Sequence, residues 1–192
     1  MMIVVFGGAF NPPTIAHKRI CEHVKANLPV SQFIYLPVSN LYTKRSLASN
    51  FHRLQMLKLI TANQPNTMVS SIELEDSEYL GTYQSLIRIQ ERYPHDQVAF
   101  VIGADNLFKL YKWINVRGLL TEFKIIVINR NRVDIDSFIQ TEPLLKLYRN
   151  SFIVLPEFVC DVSSTAFRET FDNQLVEPAV YDYIMSHELY RG

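Results

Sequence analysis

The sequence carries no net charge, with nineteen Lys+Arg against nineteen Asp+Glu in 192 residues. That balance argues against a general binder of nucleic acid or membrane surfaces, which needs a basic excess. Cysteine is scarce. Cys21 and Cys160 cannot form a disulfide framework, so a reducing, cytoplasmic setting is the expectation. Neither has a CxxC or CxxH neighbour, and no structural zinc site is expected. No apolar run approaches the roughly 18 residues of a transmembrane helix. The opening MMIVVFGGAFNPP lacks a basic n-region and a small-residue cleavage site, and reads as a first strand rather than a signal peptide. Internal repeats and linker-like stretches are absent too, so one domain over 1–192 is expected.

What is present is a well-mixed chain, 48% apolar, long enough for a sizeable core. Short apolar runs alternate with helical periodicity. Ile3–Phe6, Gln32–Pro37, Thr67–Ile72, Val98–Ile102, Lys124–Ile128 and Phe152–Leu155 read as strands. Ile15–Ala26, Asn50–Thr61, Thr82–Tyr93, Leu107–Tyr111, Val116–Glu122, Ser164–Phe171 and Pro178–His187 read as helices, and 130–150 as the least regular stretch. This alternation predicts an α/β fold: a Rossmann-like doubly wound parallel sheet with closing C-terminal helices. Ligands of such sheets bind beyond the carboxyl ends of the strands.

Charge is unevenly spread. Residues 1–60 hold seven Lys/Arg (Lys18, Arg19, Lys25, Lys44, Arg45, Arg53, Lys58) and a single acid, Glu22. The remainder is acidic. A basic N-terminal third suggests a local anionic ligand.

The segment that could hold an anion follows the first strand: Gly7-Gly8-Ala9-Phe10-Asn11-Pro12-Pro13-Thr14-Ile15-Ala16-His17. Paired glycines allow close approach of backbone to ligand. A helix N-terminus supplies N–H groups and partial positive charge to phosphate. Thr14 and His17, three apart, face one side of the first turn, and both can donate hydrogen bonds to phosphate. Neither a Walker A loop nor GxGxxG is present.

Taken together, GGxFNPxTxxH resembles the (H/T)xGH signature of the nucleotidylyltransferase superfamily. Within it the chain is similar to nicotinate or nicotinamide mononucleotide adenylyltransferases. Three further segments carry the resemblance in order. They are Pro37-Val38 through Lys44 to Arg53-Leu54-Gln55-Met56; Gly103-Ala104-Asp105 with Trp113; and Val162-Ser163-Ser164-Thr165-Ala166-Phe167-Arg168. The terminal Tyr183-Ile184 and Leu189-Tyr190 extend it over essentially the whole chain. Thr14 stands where bacterial nicotinate enzymes have His, Ala16 where most members have Gly, and Asn11 where Asp is common.

The resemblance implies adenylyl transfer from ATP to a pyridine mononucleotide, with Mg²⁺ held mainly by ATP phosphates. His17, Thr14, Lys44 and Arg168 would be the catalytic set. Gly7, Gly8, Ala9, Phe10, His17, Gly103, Asp105, Ser163, Ser164, Thr165 and Arg168 would hold ATP. Asn11, Lys44, Arg53, Thr82, Tyr83 and Trp113 would hold the mononucleotide, with Trp113 stacking on the pyridine ring and Arg53 or Lys44 on phosphate. Alternatives are a same-fold transferase with another acceptor, such as phosphopantetheine, or a non-catalytic nucleotide-binding module.

Overall fold

The computed structural model describes residues 1–42, 47–129 and 134–191. Six parallel strands form one sheet: β1 (Met2–Gly8), β2 (Val30–Pro37), β3 (Thr67–Val69), β4 (Gln97–Gly103), β5 (Lys124–Ile128) and β6 (Phe152–Val154). Their order is β3-β2-β1-β4-β5-β6. The winding direction reverses between β1 and β4, which pair from Met2–Gln97 to Phe6–Val101. The doubly wound expectation is borne out.

Both sheet faces are covered, because the strands are apolar on both sides. On one face Val4 and Phe6 pack with Phe33, Tyr35 and Val101. They meet α1 (Ile15–Asn27), α2 (Asn50–Thr61), α8 (Ser164–Thr170) and α9 (Pro178–Ser186). On the other, Ile3 and Val5 pack with Ile34, Phe100 and Ile125 against α3 (Thr82–Arg92), α4 (Ala104–Leu107) and α5 (Val116–Glu122). The α1 helix buries Ala16, Ile20, Cys21 and Val24, the spacing of a helix with one inward face.

Three expectations are corrected. β3 ends at Val69: Ser70 still donates to Tyr35 O at 2.9 Å, and the chain then leaves the sheet. The helix expected at Leu107–Tyr111 starts earlier, at Ala104 directly after β4, and is followed by a 3-10 turn at Leu110–Lys112. The 130–150 stretch contains α6 (Ile135–Thr141) and α7 (Pro143–Leu147). Asp134 caps the first by accepting from Ser137 N–H, and Glu142 caps the second ahead of Pro143. Ile135, Ile139 and Leu145 are buried, so these short helices are stabilised by packing more than by propensity.

Candidate active site

A cleft of about 610 Å³ opens at the carboxyl ends of β1 and β4, where the winding reverses. Gly7, Gly8, Ala9, Gly103, Asp105, Thr82 and Trp113 line it, each as expected from the sequence. The glycines do more than admit a ligand. A Cβ on Gly7 would stand 2.8 Å from the Phe100 ring, and one on Gly8 would stand 3.2 Å from the Phe10 ring. Both positions let an aromatic ring lie directly on backbone.

Phe10 occupies the left-handed region, φ 47°. For a bulky residue this costs about 1–3 kcal/mol. The return is burial: Phe10 is 2% exposed, its ring edge-on to Phe6 at 5.5 Å and to His17 at 5.0 Å. Phe10 is thus a support beneath the imidazole.

Thr14 is the N-cap of α1 and His17 is its third helical residue. The Thr14 N–H donates to His17 Nδ1 at 2.8 Å, and the Thr14 hydroxyl lies 2.9 Å from the same nitrogen. Nδ1 is therefore an acceptor, which places the proton of the neutral ring on Nε2. This is a capping box with imidazole in place of the usual carboxylate. Thr14 itself is fully buried, so the expected phosphate contact from its hydroxyl is corrected. Its visible role is to orient His17.

Arg53 needs a larger correction. Expected on a phosphate, it is wholly buried. Its guanidinium donates to Ala9 O (2.8 Å), Val38 O (2.7 Å), Ala48 O (3.1 Å) and the side-chain oxygens of Asn40 and Asn50 (both 2.7 Å). Burial lowers its pKa from the ordinary arginine value. Arg53 ties the β1 loop to both sides of residues 40–50 and has no surface left for a ligand. Lys44 lies outside the described residues.

Asn11 is also an anchor. It is 4% exposed, and its side-chain oxygen accepts from Ala48 N–H at 2.9 Å. Its carbonyl accepts from Arg168 Nη1. Arg168 Nη2 reaches Thr165 Oγ1 at 3.2 Å, and Ser164 Oγ donates to Pro12 O at 2.7 Å. Ser163 caps α8 by accepting from Ala166 N–H. The C-terminal Ser/Thr/Arg motif is thus docked on the β1–α1 loop, 152 or more residues away in sequence. Tyr83 turns elsewhere: its hydroxyl donates to Glu122 at 2.6 Å and its ring packs on Phe123. It does not line the cleft.

Two other basic residues of the N-terminal third are engaged away from the cleft lining. Lys18 pairs with Glu177 at 3.0 Å, and Lys25 donates to Pro65 O at 2.6 Å. Cleft-lining Glu73, Tyr79, Lys112 and Ile114 had no sequence signal, because they come from segments without a recurring motif; Val38 belongs to the quoted motif after β2.

The model of the family described as cytidylyltransferase-like matches residues 5–170. The chain belongs to that family. A relative from Carboxydothermus hydrogenoformans, named "Probable nicotinate-nucleotide adenylyltransferase", is 31% identical over 98% of each chain. The Bacillus subtilis nicotinate-nucleotide adenylyltransferase is 29% identical, covering 99% of this chain and 98% of its own. In three dimensions, the Plasmodium falciparum nicotinic acid mononucleotide adenylyltransferase complexed with NaAD aligns with TM-score 0.75. It is 22% identical, over 98% of this chain and 97% of that one. This likeness shows the shared fold, and the resemblance drawn from the motifs is borne out at the level of family.

Proposed function

We propose that this chain transfers the adenylyl group of ATP to nicotinate mononucleotide, releasing pyrophosphate, as a step of NAD biosynthesis. Relatives of that name match over nearly the full chain. The observation that carries the chemistry is the locked imidazole: Thr14 N–H on His17 Nδ1 leaves the proton of the neutral ring on Nε2.

The reaction is an in-line attack by the mononucleotide phosphate on the α-phosphorus of ATP. The nucleophile is already an anion, so a strong base is unnecessary, and positioning with charge stabilisation supplies the acceleration. In this reading His17 Nε2–H donates to the α-phosphoryl oxygens as their charge grows. The Gly7–Phe10 turn carries the nucleotide backbone contacts. Arg168, with Ser163, Ser164 and Thr165, holds the leaving pyrophosphate; a guanidinium fork suits its oxygens. Lys44 belongs to the same anion set by its motif. Asp105 accepts from the adenosine ribose, and Trp113 with Thr82 takes the pyridine ring.

ATP enters as its magnesium complex. Mg²⁺ prefers phosphate oxygens and waters. The metal would be held by the triphosphate rather than by a dedicated set of side chains.

Incubation of the purified chain with ATP, Mg²⁺ and each pyridine mononucleotide tests the reading. Dinucleotide and pyrophosphate should appear in equal amounts. Pyrophosphate-free binding of ATP, with no dinucleotide from either acceptor, would overturn it.

A further inference from the structure

Two histidines stand outside the cleft lining and outside every step of the proposed reaction. His52 is on α2, and His187 is the C-cap of α9. The two helices pack together. Their imidazole ring centres are 5.3 Å apart, with an interplanar angle of 66°.

Tyr183, one helical turn before His187, organises both rings. The His187 ring stacks on the Tyr183 ring at 4.0 Å, and its Nδ1 donates to the Tyr183 carbonyl at 2.9 Å. A carbonyl only accepts, so the proton of the neutral ring is on Nδ1 and Nε2 keeps a free lone pair. Ser186 Oγ donates its own proton to the same carbonyl and lies 3.0 Å from Nδ1, which suits that tautomer. Nδ1 of His52 is 2.9 Å from the Tyr183 hydroxyl. A phenol accepts as well as donates, so this ring too can hold its proton on Nδ1. Among the described residues neither Nε2 has a hydrogen-bond partner. His187 is exposed, and Nε2 of the half-buried His52 keeps contact with solvent.

We propose that His52 and His187 form a two-histidine site for a borderline divalent transition metal such as Zn²⁺, bound through both Nε2 atoms with water in its remaining positions. Two imidazoles on one tetrahedral ion, each with a Zn–N bond of about 2.0–2.1 Å, place their ring centres roughly 5 Å apart. The observed separation has that value. Hydrogen bonds from Nδ1 to a carbonyl and a hydroxyl are the outer-shell contacts that orient metal-bound histidines. Among the described residues no three His, Cys, Asp or Glu side chains converge on one point, so the ion has two protein ligands rather than the four of a structural zinc centre. Its affinity is accordingly micromolar, and the chain folds without it. Imidazole pairs suit Zn²⁺, Ni²⁺ and Cu²⁺, whereas Mg²⁺ demands oxygen ligands, so the site is distinct from any Mg²⁺ carried in by ATP.

The position gives the ion something to hold. His52 precedes Arg53, whose guanidinium grips the carbonyls of Ala9 and Val38. A metal bridging the two rings pins the C-terminal helix to the helix that carries this anchor, and it stabilises the folded chain by mass action. None of this depends on which reaction the cleft performs.

Calorimetric titration of the full chain, free of any histidine tag and of nucleotide, with Zn²⁺ and separately with Mg²⁺ tests the site. One Zn²⁺ per chain should bind with a micromolar Kd, and Mg²⁺ should give no heat. His52→Gln and His187→Gln should each weaken Zn²⁺ by about tenfold or more, since loss of even an outer-shell partner costs that much. Metal-free melts of both variants show whether they fold. His187 is exposed, so His187→Gln carries the test by itself if loss of the Tyr183 contact unsettles His52→Gln. Zn²⁺ binding no tighter than millimolar overturns the proposal. So does Zn²⁺ binding that is unchanged in a folded variant, because the ion then sits on other residues, or Mg²⁺ binding that competes with it.

Discussion

The backbone N–H of Thr14 donates to Nδ1 of His17 at 2.8 Å, so one helix cap sets the tautomer of the imidazole. The side chain and the fold are coupled there. His17→Asn keeps an oxygen close to where Nδ1 lies, preserving the cap while deleting the Nε2 donor. kcat should fall by roughly 10²–10³-fold, the usual loss for one transition-state donor, with Tm little changed. Thr14→Val removes the hydroxyl and keeps the N–H; its loss should be smaller. Near-normal turnover in His17→Asn would remove His17 from the chemistry.

Arg53 is predicted to matter for stability first. It is a buried charge whose described partners are all neutral carbonyl and amide oxygens. Arg53→Met leaves those neutral acceptors unpaired, at about 1–3 kcal/mol for each that stays buried without a partner, and should lower Tm by roughly 2–4 °C per kcal/mol in a chain of this size. Arg53→Lys keeps the charge but not the fork, and should recover only part of the loss. Thermal melts of the two variants decide this: a melting point unchanged in Arg53→Met would contradict the anchoring role.

The contrast between His17 and Arg53 shows what was legible in sequence. Both are basic residues in family motifs. His17 follows a glycine pair and a strand, and its place at a helix N-terminus could be read from spacing alone. Arg53 sits on an amphipathic helix, and whether its head points to water or inward depends on carbonyls of Ala9, from the β1–α1 loop, and of Val38 and Ala48, from the two ends of the β2–α2 connection. Glu73 was illegible for a related reason: it lies past the end of a three-residue strand, where no periodicity applies. The doubly wound parallel sheet, by contrast, was legible in the alternating elements and right-handed crossovers. Helices α6 and α7 had readable caps in Asp134 and Pro143, but too few turns for a periodic signal.

Gly7 tests the packing of the cleft. A methyl added there would lie 2.8 Å from Cζ of Phe100, a ring only 4% exposed and unable to swing away freely. Gly7→Ala should destabilise by about 1–3 kcal/mol through overpacking. The double variant Gly7→Ala/Phe100→Leu should regain part of that loss, because the obstructing ring is gone. Chemical denaturation midpoints of Gly7→Ala, Phe100→Leu and the double variant check it; additive losses would place the strain elsewhere.

The Oε2 atom of Glu73, buried and without a partner among the described residues, should tax the folded state. Burial raises the Glu73 carboxyl above its ordinary range in the folded protein. The folded chain therefore keeps this proton at pH values where the unfolded chain has released it. Stability from this group is present below the ordinary glutamate value and is lost as pH rises towards the folded value, then levels off. Glu73→Gln has no such loss, since its amide stays neutral. The variant should match the unaltered protein in acid and become more stable by about 1–3 kcal/mol once the carboxylate is ionised. Denaturation midpoints of both proteins across that pH window measure the gap. A gap that stays constant with pH would mean that folding leaves the proton affinity of Glu73 unchanged, with Ser85 and Arg88 offsetting burial.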